Sequence, residues 1–310
     1  MKKTKITVLI YFLIIMILIA CIFVRKTIAA ETVENNVKKT SSNGNYKWYS
    51  TLTSAVNDAA DGDTIEVYKS FTETSSVQIK KQNLTIKAAD GYNPTISWTN
   101  TTEIQVSTYT KYHCIVVYTS VTTSTTLGGG TGTLTIDASL ASDDDNKGKR
   151  ARVMAHCGTG KLNIKDGIIL KGGKPGGGNY DDSRDNADEH TTAEITGSTG
   201  NGAGILMYNG TLNMSGGIVQ DNYSLWGSTT AHNLVGAGGG ICICNGATLN
   251  LSGGYIKKNA AGSGGGGGIL VDTGGTLNIT GGFVSENNCN FASGGGIAVN
   301  KGYSGIVING

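Results

Sequence analysis

Residues Gly266 to Asn288 read GGGILVDTGGTLNITGGFVSENN, and the opening GGGI returns at Gly294 to Ile297. Glycine loses more conformational entropy on folding than any other residue. A chain with 47 glycines and only 2 prolines is neither collagen nor a proline-rich linker, so its glycines must serve an ordered structure. The segments GTLTIDASL, GKLNIKDGIIL, GTLNMSGGIV, ATLNLSGGYI and GTLNITGGFV place leucine at 134, 162, 212, 249 and 277, with gaps of 28, 50, 37 and 28 residues. The glycine-led strands put Ile205, Ile241, Ile269 and Ile297 on the same period, with gaps of 36, 28 and 28. A repeat in this range is the signature of a stacked architecture, here a 28-residue unit carrying insertions.

Each unit reads as three short strands. Alternation directs Ile269 and Val271 inward and Leu270 and Asp272 outward, and then Leu277 and Ile279 inward with Asn278 outward. The third strand, GGFV or GGYI, carries a large residue followed by a β-branched one. Three strands and three turns close a coil, and coils stacked at ~4.8 Å lay each inward leucine over its equivalent. Burying such a side chain is worth ~1.5 to 3 kcal/mol, against ~0.5 to 1 kcal/mol lost at a strand glycine. The aliphatic columns therefore outweigh the glycines. Gly253-Gly254 and Gly281-Gly282 are expected at tight turns or close backbone passages. Asn163, Asn213, Asn250 and Asn278 are expected to form an outward ladder, and Asn222, Asn259 and Asn287 to punctuate turns. Sparse aromatic (7%) and charged (15%) residues fit an all-β chain.

The segment TLTSAVNDAADGDTIEVYKSFTETSSVQIKKQNLTIKAADG, Thr51 to Gly91, resembles the opening of right-handed parallel β-helix proteins of the pectate-lyase-like superfamily, with a short helix, an A-x-x-G-D-T-I step and an L-T-I strand. The helix also follows from spacing: Leu52, Ala55, Val56 and Ala59 fall at i, i+3, i+4 and i+7, with Ser50 or Thr51 as N-cap. The later coils resemble repeats of bacterial surface and autotransporter-type adhesins. The resemblance spans about residues 48 to 310 and implies a right-handed parallel β-helix of three-strand coils with an N-terminal capping helix, residues 31–47 forming a linker. That superfold hosts lyases, hydrolases, adhesins and tailspikes alike.

Lys2, Lys3 and Lys5 precede an uncharged run from Ile6 to Val24, followed by Arg25, Lys26 and Ala29-Ala30. This is an export signal with cleavage expected near Ala30; its length also suits an uncleaved membrane anchor. Leu18-Ile19-Ala20-Cys21 resembles a lipobox. Removing residues 1–30 takes away five positive charges and no acids, leaving 20 basic against 23 acidic residues, so no basic field for nucleic acid remains. The run KGKRAR, Lys147 to Arg152, reads as a solvated loop. Cys114, Cys157, Cys242, Cys244 and Cys289 are an odd number for a disulfide framework and read as small packing residues.

The insertions, near 174–202 and 224–235, and the loop 142–152 all fall after the third strand of one coil and before the glycine-led strand of the next. Stacking then gathers Asp143 to Asp145, Asp181, Asp182, Asp185, Asp188, Glu189, His190, Trp226 and His232 along one edge. Clustered carboxylates suit Ca²⁺, with Asp143, Asp145 and Asp185 as candidate ligands, although neither acidic loop matches the D-x-[DN]-x-[DN]-G pattern. Asp181, Asp182, Asp185, Asp188, Glu189, Trp226 and His232 are candidates for binding a saccharide; the competing reading is ordinary solvated loops. Beside this corner, two outward columns are expected: Val116, Met154, Leu206, Cys242, Leu270, Ala298, and Tyr118, His156, Tyr208, Cys244, Asp272, Asn300. An outward apolar column marks a binding surface. In the enzymes of the resembled superfamily the active site lies on this strand, which would make His156, Tyr208 and Asp272 the catalytic candidates. The compact acid pairs of polygalacturonases and the arginine motif of pectate lyases are not found in the sequence.

SGIVING, Ser304 to Gly310, restarts the Leu-x-Ile strand without a terminal cap, and solenoids need one; further coils or a capping partner are expected. The expected function is an exported, cell-surface, adhesin-like or glycan-binding scaffold. Its expected partner is a polysaccharide or a neighbouring cell surface, with no cofactor beyond Ca²⁺, no nucleic acid, and membrane contact only through the N-terminal segment. The alternatives are a polysaccharide lyase or glycoside hydrolase on the same fold, and a structural spacer.

Overall fold

The computed structural model describes residues 35–80, 83–101, 103–106, 109–142, 151–175, 201–224, 236–262, 264–290, 294–300 and 306–308, of which 103–106, 109–112, 142 and 306–308 are described by backbone alone. The chain divides into residues 1–35 and 36–310, and every described strand and helix belongs to the second unit. That unit is all-β, and its strands are joined in parallel from one repeat to the next.

One ladder is formed by the TLNI-type strands. In it Leu84, Thr125, Leu162, Leu212, Leu249, Leu277 and Ile306 stand opposite one another in successive strands. A second ladder aligns Ile96, Ile136, Leu170, Val219, Ile256 and Val284. The long strands Thr211–Gln220 and Thr248–Lys257 run through both ladders, joining them in one 15-stranded sheet. The glycine-led strands form a separate sheet in which Val77, Ile115, Met154, Ile205, Ile241, Ile269 and Ile297 align. These columns merge into one core, with the leucines from Leu162 to Leu277 at 0% exposure. Alternation of apolar and polar residues thus fixes the register, because a one-residue slip would turn every side chain to the wrong face.

The GGG motif has two separate duties. Gly202, Gly238, Gly266 and Gly294 adopt φ of +65°, +63°, +64° and +80°, a region costly for residues with a Cβ. Two residues further on, a Cβ added to Gly204, Gly240 or Gly268 would lie 2.6, 2.5 or 2.6 Å from the carbonyl oxygen of the equivalent glycine in the next repeat.

Both asparagine ladders are present. On the outward face, Asn213 Nδ2 donates to Asn163 Oδ1 (3.0 Å), Asn250 Nδ2 to Asn213 Oδ1 (2.9 Å) and Asn278 Nδ2 to Asn250 Oδ1 (2.8 Å). At the turns, Asn222 Nδ2 donates to Asn259 Oδ1 and Asn259 Nδ2 to Asn287 Oδ1, each at 3.0 Å. The turn amides also bond main-chain groups: Asn259 Nδ2 donates to the Val219 carbonyl at 2.9 Å and Asn259 Oδ1 accepts from the Asn222 N–H at 3.2 Å.

The N-terminal end differs from expectation. Residues from Val37 to Tyr49, mostly within the span read as linker, form an antiparallel hairpin of strands Val37–Thr40 and Tyr46–Tyr49. The hairpin pairs antiparallel onto Thr64–Val67, the first strand of the parallel ladder. Among the described residues no N-terminal capping helix is seen apart from the short helix expected from the spacing of Leu52, Ala55 and Val56. The helix at Leu52–Asn57 is six residues long and packs against the hairpin and Val77–Lys80, so the element laid along the first parallel strand is the hairpin. The helix starts at Thr51, whose hydroxyl accepts from the Ser54 N–H at 3.1 Å, and it buries Leu52, Ala55 and Val56. The buried Glu73 carboxylate accepts from the Thr53 N–H and hydroxyl, both at 2.9 Å, and so satisfies a donor that a helix start leaves open. Burial pushes the Glu73 pKa up despite these bonds.

Among the described residues no helix is long and apolar enough to cross a membrane; the expected export segment, 1–30, lies outside them.

Candidate functional site

Three segments outside the described residues fall at the same point of the repeat in chain order. Residues 143–150, 176–200 and 225–235 each lie between the second ladder and the next glycine-led strand. A hairpin of Glu103–Val106 with the first part of Tyr109–Tyr118 enters at the same place one coil earlier. Asp143, Asp144, Asp145, Asp181, Asp182, Asp185, Asp188, Glu189, His190, Trp226 and His232 lie outside the described residues. What the structure describes is the corner's flank, the outward face of the glycine-led sheet.

That face differs from the sequence-derived columns at one strand. In Arg152–His156, Met154 aligns with Ile205, Ala155 with Leu206 and His156 with Met207. The columns are therefore Val116, Ala155, Leu206, Cys242, Leu270, Ala298, and Tyr118, Cys157, Tyr208, Cys244, Asp272, Asn300. Met154 and His156 move to the inward side. RVMAHC lacks the glycine lead that fixes register elsewhere, and a shift of one residue reverses both faces.

His156 is consequently part of the interior, at 0% exposure. Its Nε2 is 2.7 Å from Thr119 Oγ1 and its Nδ1 is 2.8 Å from the Asn209 carbonyl oxygen. Burial lowers its pKa, with the Asn209 bond opposing. Tyr208 and Asp272 do lie on the outward side, where Asp272 Oδ1 accepts from Asn300 Nδ2 and from the Thr273 N–H, both at 2.7 Å. His156 and Asp272 thus occupy opposite faces of one sheet, which separates two of the three catalytic candidates.

The apolar outward column is not an open surface. Val116, Ala155, Leu206, Cys242 and Leu270 are all buried, packed with Ala237, Cys157 and Tyr208. All five cysteines from Cys114 to Cys289 are free thiols. Burial pushes the Cys157 thiol up to about 12 in spite of nearby Arg152, and the bond with Cys244 together with burial holds Cys242 well above the usual range. These protonated thiols are packing groups and poor nucleophiles.

Arg152, read in sequence as part of a solvated basic run, is 1% exposed. Its Nε donates to the Asn201 and Gly202 carbonyls at 3.0 and 2.9 Å, and its Nη2 to Asn201 at 2.6 Å. Burial lowers its pKa to about 10, so the guanidinium stays charged at neutral pH. It ties the base of the strand that follows 143–150 to the backbone that follows 176–200. Among the described residues, no group of three or more His, Cys, Asp or Glu is placed to hold a metal ion.

Sequence reasoning also passed over Tyr46 and Trp48. The signal was present in YKWY, three aromatic residues in four straddling the end of the supposed linker.

No protein-family model, curated protein or solved structure matches this chain.

Proposed function

We propose that residues 36–310 form a right-handed parallel β-helix of the kind resembled by the Thr51 to Gly91 opening, and that the exported chain is a cell-surface, adhesin-like scaffold that binds glycans at its insertion corner. The observation that supports this reading is the placement of the interruptions. Aligned columns continue from repeat to repeat, and in chain order the insertions all fall between the second ladder and the next glycine-led strand, so a common frame would carry its loops at one corner, where binding residues concentrate. The acidic loops with Trp226 and His232 then meet a polymer side by side, with Ca²⁺ as a bridging ion for Asp143, Asp145 or Asp185. A lyase or hydrolase on the same frame is the second reading, favoured by the outward placement of Tyr208 and Asp272.

Incubating the exported chain with neutral and acidic polysaccharides, with and without Ca²⁺, separates these readings. Retention without cleavage, lost on replacing Trp226 and Asp185 by alanine, is the result expected. New reducing or unsaturated ends that disappear in Asp272→Asn would establish the enzyme instead. No retention of any polymer would leave a spacer.

A further inference from the structure

The outward face of the first ladder carries a different surface at its antiparallel end. Tyr46 and Trp48 sit two residues apart on one strand, hence on one side of it. Across the sheet from Trp48, Lys38, Glu66 and Lys87 stand opposite one another in register. Trp48 meets Tyr68 with ring centroids 4.9 Å apart, and Tyr68 meets Tyr92 edge-on at 5.1 Å. Yet Tyr46 remains 64% exposed and Tyr92 48%. Lys38 Nζ lies 5.1 Å from the Tyr46 ring centroid, and Glu66 receives both Lys38 (3.6 Å) and Lys87 (3.4 Å).

We propose that this surface is a saccharide subsite for a neutral pyranose polymer, distinct from the insertion corner and independent of the reading given for it. An aromatic row needed only to seal the sheet edge would tuck its rings away, whereas here the terminal rings face solvent. A ring face carries negative π density that attracts the polarised C–H face of a pyranose, as it attracts cations. Beside the rings, Lys38, Glu66 and Lys87 present donor, acceptor and donor at successive strands, ~4.8 Å apart. Sugar hydroxyls both donate and accept, and so answer this alternation. Lys38 and Lys87 are balanced by Glu66 and by Asp90, 4.0 Å from Lys87, so the patch offers a polyuronate no net positive charge, and the neutral polymer is the better complement.

The test is calorimetric titration of the full exported chain with cellohexaose, chitohexaose and hexagalacturonate, alongside Tyr46→Ala and Glu66→Gln. At least one neutral hexasaccharide should bind, and more tightly than hexagalacturonate. Tyr46→Ala should weaken that binding by about tenfold, on the scale of one aromatic contact, with an unchanged melting temperature. Glu66→Gln, which keeps the shape of the site, should weaken it as well. Absence of binding by both neutral probes overturns the proposal, as does tighter binding of hexagalacturonate. Equal affinity in wild type and Tyr46→Ala overturns it too, and would place any binding at the corner, which the Trp226 and Asp185 variants report separately.

Discussion

Thr125 stands in the leucine column between Leu84 and Leu162, fully buried, with its hydroxyl lacking a hydrogen-bond partner. A buried unpaired hydroxyl costs free energy that a methyl of the same shape does not. Thr125→Val should therefore stabilise the protein by about 1 kcal/mol in urea unfolding; a loss of stability would show that the hydroxyl is satisfied in solution. Asp58 gives a residue-scale pH dependence. Bonds from Lys39 and from Tyr49 hold its carboxyl at about 2, below its ordinary 3.8. Stability from a depressed carboxylate is present above the unfolded value and lost as pH falls through the folded one. Between pH 4 and 2 the melting temperature of wild type should drop more steeply than that of Asp58→Asn, and parallel curves would count against the network. Single residues were legible where a motif fixed them: Leu212, Leu249 and Leu277 follow from TLN alone. His156 was not, because nothing in VMAHC distinguishes the inward from the outward alternation. Only pairing with Val117 and Met207 decides it.

The asparagine ladders show how one residue type does two jobs at the level of the element. Asn250 bridges outward neighbours on a half-buried face, where water can replace a lost amide. Asn259, 1% exposed, bonds backbone and side chains of adjacent coils, and its removal strands buried donors and acceptors. Asn259→Ala should cost about 2 to 3 kcal/mol and Asn250→Ala about 0.5 to 1. Equal losses in chemical denaturation would refute the distinction. Periodicity revealed both ladders, but it did not reveal which one is buried, since that depends on how tightly the turns pack. The hairpin Val37 to Tyr49 escaped for a different reason. It joins by antiparallel pairing and lies outside the 28-residue period, so only its aromatic run, YKWY, announced it.

At the scale of the whole molecule, the repeat made the parallel stacking of strands legible. The outward face of the glycine-led sheet was legible only in part. Alternation marks Leu206, Cys242 and Leu270 as outward without saying whether anything packs over them, and they prove buried. Arg152 was misread because charge composition speaks of solvation, whereas its position within the strand Arg152–His156 carries it inside.

The stacked architecture depends on leucines of successive repeats lying in direct register. Methyl-labelled NMR of the protein measures that directly, through nuclear Overhauser contacts among Leu212, Leu249 and Leu277. The stacked register predicts strong Leu212–Leu249 and Leu249–Leu277 contacts and none between Leu212 and Leu277, which are two strand spacings, ~9.6 Å, apart. A direct Leu212–Leu277 contact, or the absence of both neighbouring ones, would contradict it.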